Sequence, residues 1–178
     1  MLAATFFDPV LGLDTHIVLV PTPAGPVPTP MPMPFVGMVF DPAGLALGAA
    51  MGAALSGSPG LVMVNSMPAG NCGTAVTNTM TAPHIPAPGP FAVGMPGNDA
   101  ETMFGGLNAS VGGSFGLRLG DIALSCSDPV RMPTSVVLAI PKGMPFLLLR
   151  PPVPDIATIL MGLAMKAAFR AAAAALRF

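Results

Sequence analysis

Residues 20–35 read VPTPAGPVPTPMPMPF, and seven of these sixteen positions are proline. Each proline removes a backbone donor and fixes φ, and each biases its predecessor to extended geometry. The stretch therefore cannot be helical or a central strand. A polyproline II path or an edge-like extended path remains. The run contains no charge and no Ser, so it is not a polar linker. Its fixed φ lowers the cost of ordering it against apolar neighbours, with Val27, Met31, Met33 and Phe35 supplying the contacts.

The rest of the chain follows the same style. Its 178 residues suit one domain. Gly (21) and Pro (23) are abundant, yet 52% of residues are hydrophobic and 8% are charged, so the chain condenses rather than staying disordered. So little charge implies a surface normally covered by a partner. Lys and Arg occur only from Arg118 onward and have no aromatic partners for stacking, which argues against nucleic-acid binding. MLAATFFDPV is not a signal peptide, because it lacks a basic start and Asp8-Pro9 breaks the apolar stretch. Synthesis in the cytoplasm follows, with any export independent of the N-terminus.

Residues 17–20, IVLV, read as a strand stopping at Pro21. Residues 43–56 read as a short apolar helix with small residues at Gly44, Gly48 and Gly52, too short to span a bilayer. Three stretches read as β units: 61–74, 114–126 and 135–149, the last a hairpin around Pro141-Lys142-Gly143. Residues 81–91 form a second Pro-rich crossing. Residues 155–176 read as a helix after Pro154, with Asp155 as N-cap. The fold expected is mainly β: a small cone of short hairpins with Pro-rich extended connectors, one short apolar helix and a C-terminal helix. Residues 1–152 form the main domain, and 153–178 a helix that docks or leads to cargo.

No nucleophile elbow, Walker loop or zincin motif is present, so no enzyme is expected. Asp99 and Glu101 read as a solvated loop. The whole chain holds two His and two Cys, namely His16, Cys72, His84 and Cys126. Four such donors match tetrahedral zinc in number and type, although no C-x₂-C or H-x₃-H spacing supports it.

HIVLVPTPAGPVPTPMPMPFVG (16–37), then FDPAG, VNSMPAGNCGT, APHIPAPG, LSCSDP and TSVVLAIPKGMP, resemble the PAAR and PAAR-like domains. The resemblance covers about residues 3–152. Pro68-Ala69 stands at the eponymous turn, with Gly70 in place of Arg. AATFFDPVLGLDTH (3–16) is similar to the segment that precedes and completes such domains, with Thr5 in place of its usual Arg. The resemblance implies a non-enzymatic tip that caps and sharpens a trimeric VgrG-like spike of a type VI or related contractile injection system and carries or tethers effector cargo. It implies a structural zinc near the apex. His16, His84 and Cys126 fall in matching segments, Met33 replaces a frequent His, and Cys72 is expected as the fourth ligand. An alternative is the loading region of an Rhs-type toxin effector, with 43–56 and 155–176 as chaperone-bound or membrane-inserting segments. A third reading, a small membrane-associated protein, rests on the length of 155–176 alone.

Overall fold

A computed structural model describes residues 1–46, 49–50, 61–78, 90–92, 97–111, 114–148, 152–154, 156–157, 160 and 164. The proline run lies in the longest element. Strand β1 (Pro9–Thr22) pairs antiparallel with β2 (Gly25–Val39) along its whole length, from Pro9↔Met38 to Thr22↔Gly25. The strand thus passes through Pro21 instead of stopping there, and the run takes the edge-like path rather than a free polyproline helix. The reason is parity. Pro26, Pro28, Pro30, Pro32 and Pro34 alternate with other residues, so every missing donor falls on one side of β2. Their β1 partners Thr15, Ile17 and Leu19 turn their own backbone groups away from β2. Leu19 N–H donates to Pro90 O (2.8 Å), and Ile17 O accepts from Ala92 N–H (2.8 Å). Prolines therefore occupy only non-hydrogen-bonded pairs, and the ladder to β1 loses nothing.

Two more hairpins follow. One joins β5 (Ala75–Asn78) to β6 (Asp99–Thr102), the other β9 (Ile122–Ser125) to β10 (Met132–Val137). The three close into a six-stranded barrel in the order β1-β10-β9-β6-β5-β2, so each hairpin's second strand pairs with the first strand of the next. A barrel this narrow has room for little, and its interior is Val10, Phe35, Val39, Val76, Ala100, Ala123 and Val137. Each buried Val contributes about 1.5–3 kcal/mol. At Gly12 the crossing strand β10 comes so close that a Cβ would collide with Ser135.

One end of the barrel repeats three times. Thr5–Asp8, Asn71–Thr74 and Arg118–Asp121 form three equivalent turns. In each, the first residue's N–H donates to a side-chain oxygen of the fourth: Thr5 to Asp8 Oδ2 (2.7 Å), Asn71 to Thr74 Oγ1 (2.9 Å), Arg118 to Asp121 Oδ2 (2.8 Å). The third residue has positive φ in all three: Phe7 (65°), Gly73 (87°) and Gly120 (85°). Its N–H bonds the returning strand of its own hairpin, at Val39 O, Thr102 O and Val137 O respectively, each at 2.8 Å. The residues just before the turns close a ring. Ala4 N–H donates to Leu117 O (2.8 Å), Leu117 N–H to Gly70 O (2.9 Å) and Gly70 N–H to Ala4 O (2.9 Å). The barrel thus has pseudo-threefold symmetry about this ring.

Beyond the ring each unit continues outward. For the second it is the two-stranded β3 (Met63–Val64) with β4 (Met67–Pro68). For the third it is β7 (Phe104–Val111) with β8 (Ser114–Gly116), to which β11 (Pro152–Pro154) adds a strand. For the first, the chain's start does the work: Leu2 bridges Leu147, and Ala3 N–H donates to Phe146 O (2.8 Å). This corrects the hairpin expected around Pro141-Lys142-Gly143. The segment after β10 completes its pairing with residues 1–3 instead of folding back on β10. Lys142 serves another purpose there, with Nζ 2.7 Å from buried Asp8 Oδ1.

The short apolar helix expected over 43–56 begins as expected. Residues 42–46 and 49–50 are helical, and Asp41 Oδ1 caps the start by accepting Gly44 N–H (2.8 Å). Residues 51–56 and most of the 155–176 helix lie outside the described residues. Asp99 and Glu101 are in β6, not a solvated loop. Glu101 is buried, and Asp99 Oδ2 lies 2.6 Å from Arg131 Nη2.

Candidate metal centre

Along β1 the inward positions are Val10, Gly12, Asp14, His16 and Val18. The lower ones belong to the barrel core. Pairing to β10 ends at Gly12, and pairing of β2 to β5 ends at Gly37. Asp14 and His16 are therefore the first inward side chains above the closed barrel, where six strands no longer surround the interior. Both are fully buried.

The turn after β9 meets them there. Thr15 N–H donates to Ser127 Oγ (3.1 Å), and Asp128 N–H donates to Thr15 O (2.8 Å). This clip sets Cys126 over the inward face of β1. Its Sγ donates to Asp14 Oδ2 at 3.0 Å and stands 3.9 Å from His16 Nε2. Asp128 Oδ2 accepts from His16 Nδ1 at 2.8 Å, and Phe91 packs edge-on against the imidazole with centroids 5.8 Å apart. With Nδ1–H committed to Asp128, Nε2 presents its lone pair to the cluster.

Asp14, His16 and Cys126 each offer a ligand atom within 4.8 Å of the others, and this buried group could hold a metal ion. The fit can be tested on geometry. Neighbouring donors around tetrahedral zinc are roughly 3.5 Å apart for bond lengths of about 2.0–2.3 Å. The Sγ–Oδ2 and Sγ–Nε2 separations of 3.0 and 3.9 Å bracket that edge. Burial pushes the Cys126 thiol well above its ordinary range, and the hydrogen bond and charge of Asp14 push it further. Without an ion Cys126 is thus a neutral thiol, and an ion must displace its proton.

Of the four donors expected from the sequence, the structure brings together His16 and Cys126. Cys72 is buried elsewhere. Its N–H bonds Phe115 O (2.9 Å), and its sulfur packs against Gly105, between the turn ring and β7–β8. It is not in the group around His16, because its place in the Asn71–Thr74 turn belongs to the opposite end of the barrel. His84 lies outside the described residues. Met33 is the inward cross-strand partner of Asp14. Asp14 itself was missed. The signal was Asp14-Thr15-His16: two donors two residues apart share a face on a strand, but the strand was expected to begin only at Ile17.

The other end of the barrel carries an apolar cavity of about 430 Å³. The ring residues Ala4, Gly70 and Leu117 form its floor, and Val62, Val111 and Phe146, one from each outward extension, stand on its walls. Around it Met63, Met144, Phe146 and Leu147 are about half exposed or more. No known family, curated protein or solved structure matches this chain.

Proposed function

We propose that this chain is a non-enzymatic tip that caps the threefold end of a trimeric, VgrG-like spike of a contractile injection system, sharpening it and carrying effector cargo. The observation that carries the reading is the ring of three equivalent turns. A single chain seated on a trimer must offer each subunit a similar surface, and three equivalent turns about one axis do so. The apolar cavity above the ring, rimmed by exposed Met63, Met144, Phe146 and Leu147, supports the same end as the docking face. In this reading the Pro-rich β1–β2 hairpin leads. Its outward prolines leave β2 an edge without donors above Val36, which stops other strands from adding to it.

The ion is proposed as structural zinc. It replaces burial where the barrel stops enclosing a core. His16 and Cys126 are its ligands, and His84 stays in the proposed set on the strength of the sequence resemblance. It lies between β5 and β6 in the chain, which would give each hairpin at least one donor.

Co-expression with trimeric β-helical spike proteins tests the docking. The expected result is a complex of one chain per trimer in size-exclusion chromatography with light scattering. It should be lost in Met144→Glu/Phe146→Glu, a double variant that leaves the barrel interior untouched. Failure to associate with any such trimer, by a folded chain, overturns the reading.

A further inference from the structure

We infer that Asp14 is a direct ligand of the ion, so that the centre is a mixed sulfur–nitrogen–oxygen site rather than one of His and Cys alone. The inference rests on the reading of this cluster as a metal centre, and three independent features carry it. Asp14 points inward two residues before His16, on the same face of β1. Its Oδ2 is 3.0 Å from Cys126 Sγ, nearer than His16 Nε2. Its Oδ1 is buried and has no hydrogen-bond partner among the described residues.

The last feature sets Asp14 apart from the buried carboxylates of the turn ring. Asp8 and Asp121 are equally buried, but both of their oxygens are engaged. Asp8 accepts from Thr5 and Ile140 N–H and pairs with Lys142, and Asp121 accepts from Arg118 through both oxygens. The carboxylates of the turn ring are thus completed by protein donors. Glu101 also has a buried oxygen without a hydrogen bond among the described residues, but its other oxygen lies 3.9 Å from Arg131 Nη1, and it is not in the group with His16 and Cys126. Asp14 receives only a weak S–H donor, and a buried carboxylate left so poorly compensated is unfavourable. A cation supplies what is missing. When it binds, the Cys126 proton leaves to solvent, the thiolate and Nε2 take two positions, and the carboxylate that had held the thiol takes a third. Asp128 acts differently. It holds the imidazole through Nδ1 and is a positioning residue.

The donor set also selects the ion. Thiolate plus imidazole favours zinc or cobalt(II), while a single carboxylate is too little for magnesium or calcium, which require more oxygen ligands.

Cobalt(II) and zinc titrations of the purified chain separate the roles. For the parent, a sulfur-to-cobalt charge-transfer band and intense tetrahedral d–d bands are expected. Asp14→Ala should lower zinc affinity by more than the about 10–100-fold expected for Asp128→Asn. It should also shift the d–d bands, with the charge-transfer band kept. Asp14→Asn, nearly isosteric, controls for folding and should give the same spectral shift. If either Asp14 variant, shown folded by circular dichroism, keeps the parent affinity and d–d spectrum, Asp14 is no ligand. Loss of the charge-transfer band in Cys126→Ser would then still uphold the centre. If the parent itself binds neither ion, the metal reading fails as a whole.

Discussion

The two ends of this barrel solve the same problem in opposite ways. At the ring end, polar groups are buried and paired within the chain. Asp8, Thr74 and Asp121 each close a turn, Arg118 and Asp121 form an ion pair with both side chains almost fully buried, and three backbone bonds link the units. Among the described residues no buried side-chain nitrogen or oxygen of the ring lacks a hydrogen bond, whereas at the crown Asp14 Oδ1 has none. The difference follows from enclosure. Three turns meeting on an axis can satisfy one another, but the crown, where β1–β2 continues past Gly12 without the rest of the barrel, has too few strands to do so. The ring is complete as protein, whereas the crown gathers Asp14, His16 and Cys126 into a buried group that could hold a metal ion.

The sharpest way to break this contrast is to remove one half of the buried ion pair in the ring. Asp121→Ala removes the ion-pair partner of Arg118, which is 1% exposed, and the acceptor for its backbone N–H. Breaking a buried pair this way costs about 3–5 kcal/mol, read as a lowered urea midpoint. A cost below about 1 kcal/mol would mean that the ring is not the rigid end.

Chelation addresses the other end. With zinc at about a thousand times its dissociation constant, binding adds about 4 kcal/mol to stability. EDTA should remove that, and hydrogen exchange should locate the effect. Amides of Thr15, Asp128 and Leu19 at the crown are expected to lose protection, while those of Ala4, Gly70 and Leu117 keep theirs relative to global unfolding. Uniform loss at both ends would merge the two regions into one.

A smaller effect tests the equivalence of the three turns. Gly120 has φ +85°, and the nearest atom to an added Cβ is Met1 Cε at 3.5 Å, so Gly120→Ala meets only the backbone penalty of about 1–2 kcal/mol. Phe7 already bears that penalty at the matching place, offset by stacking on Phe40 with ring centroids 5.5 Å apart. Denaturant unfolding of the Gly120 variant measures it.

That Phe also explains why the symmetry is invisible in the sequence. TFFD, NCGT and RLGD share only an oxygen-bearing fourth residue, and the glycine that would mark the turn is absent from the first. The outward extension of the first unit is assembled from the two ends of the domain, so no repeat spacing exists to find. The β class and the extended proline path were readable, because each rests on local chemistry; His16 and Cys126, far apart in the chain, were grouped only by donor count and by the resemblance. The hairpin partner of the prolines was readable in principle from their even spacing. Asp14 was readable only in part: Asp14-Thr15-His16 puts two donors on one strand face, but the lack of a partner for Oδ1 is a property of the folded surroundings. Cys72 misled for the same reason: a sequence counts donors but does not say at which end of a barrel each lies.

The gentlest test follows from the thiol. Burial and Asp14 raise the Cys126 pKa in the folded, ion-free protein above its ordinary value of 9.0. Below pH 9 folded and unfolded chains both hold this proton. Above it the unfolded chain releases the proton while the folded one retains it, so the folded state loses ground as pH rises. Thermal unfolding of the ion-free protein between pH 8 and 10 should show a decline that Cys126→Ser lacks. Saturating zinc should abolish that decline, since a bound thiolate carries no proton to lose. A decline identical in parent and Cys126→Ser would assign it to other groups, and would mean that the crown holds its cysteine no more tightly out of water than an ordinary surface turn does.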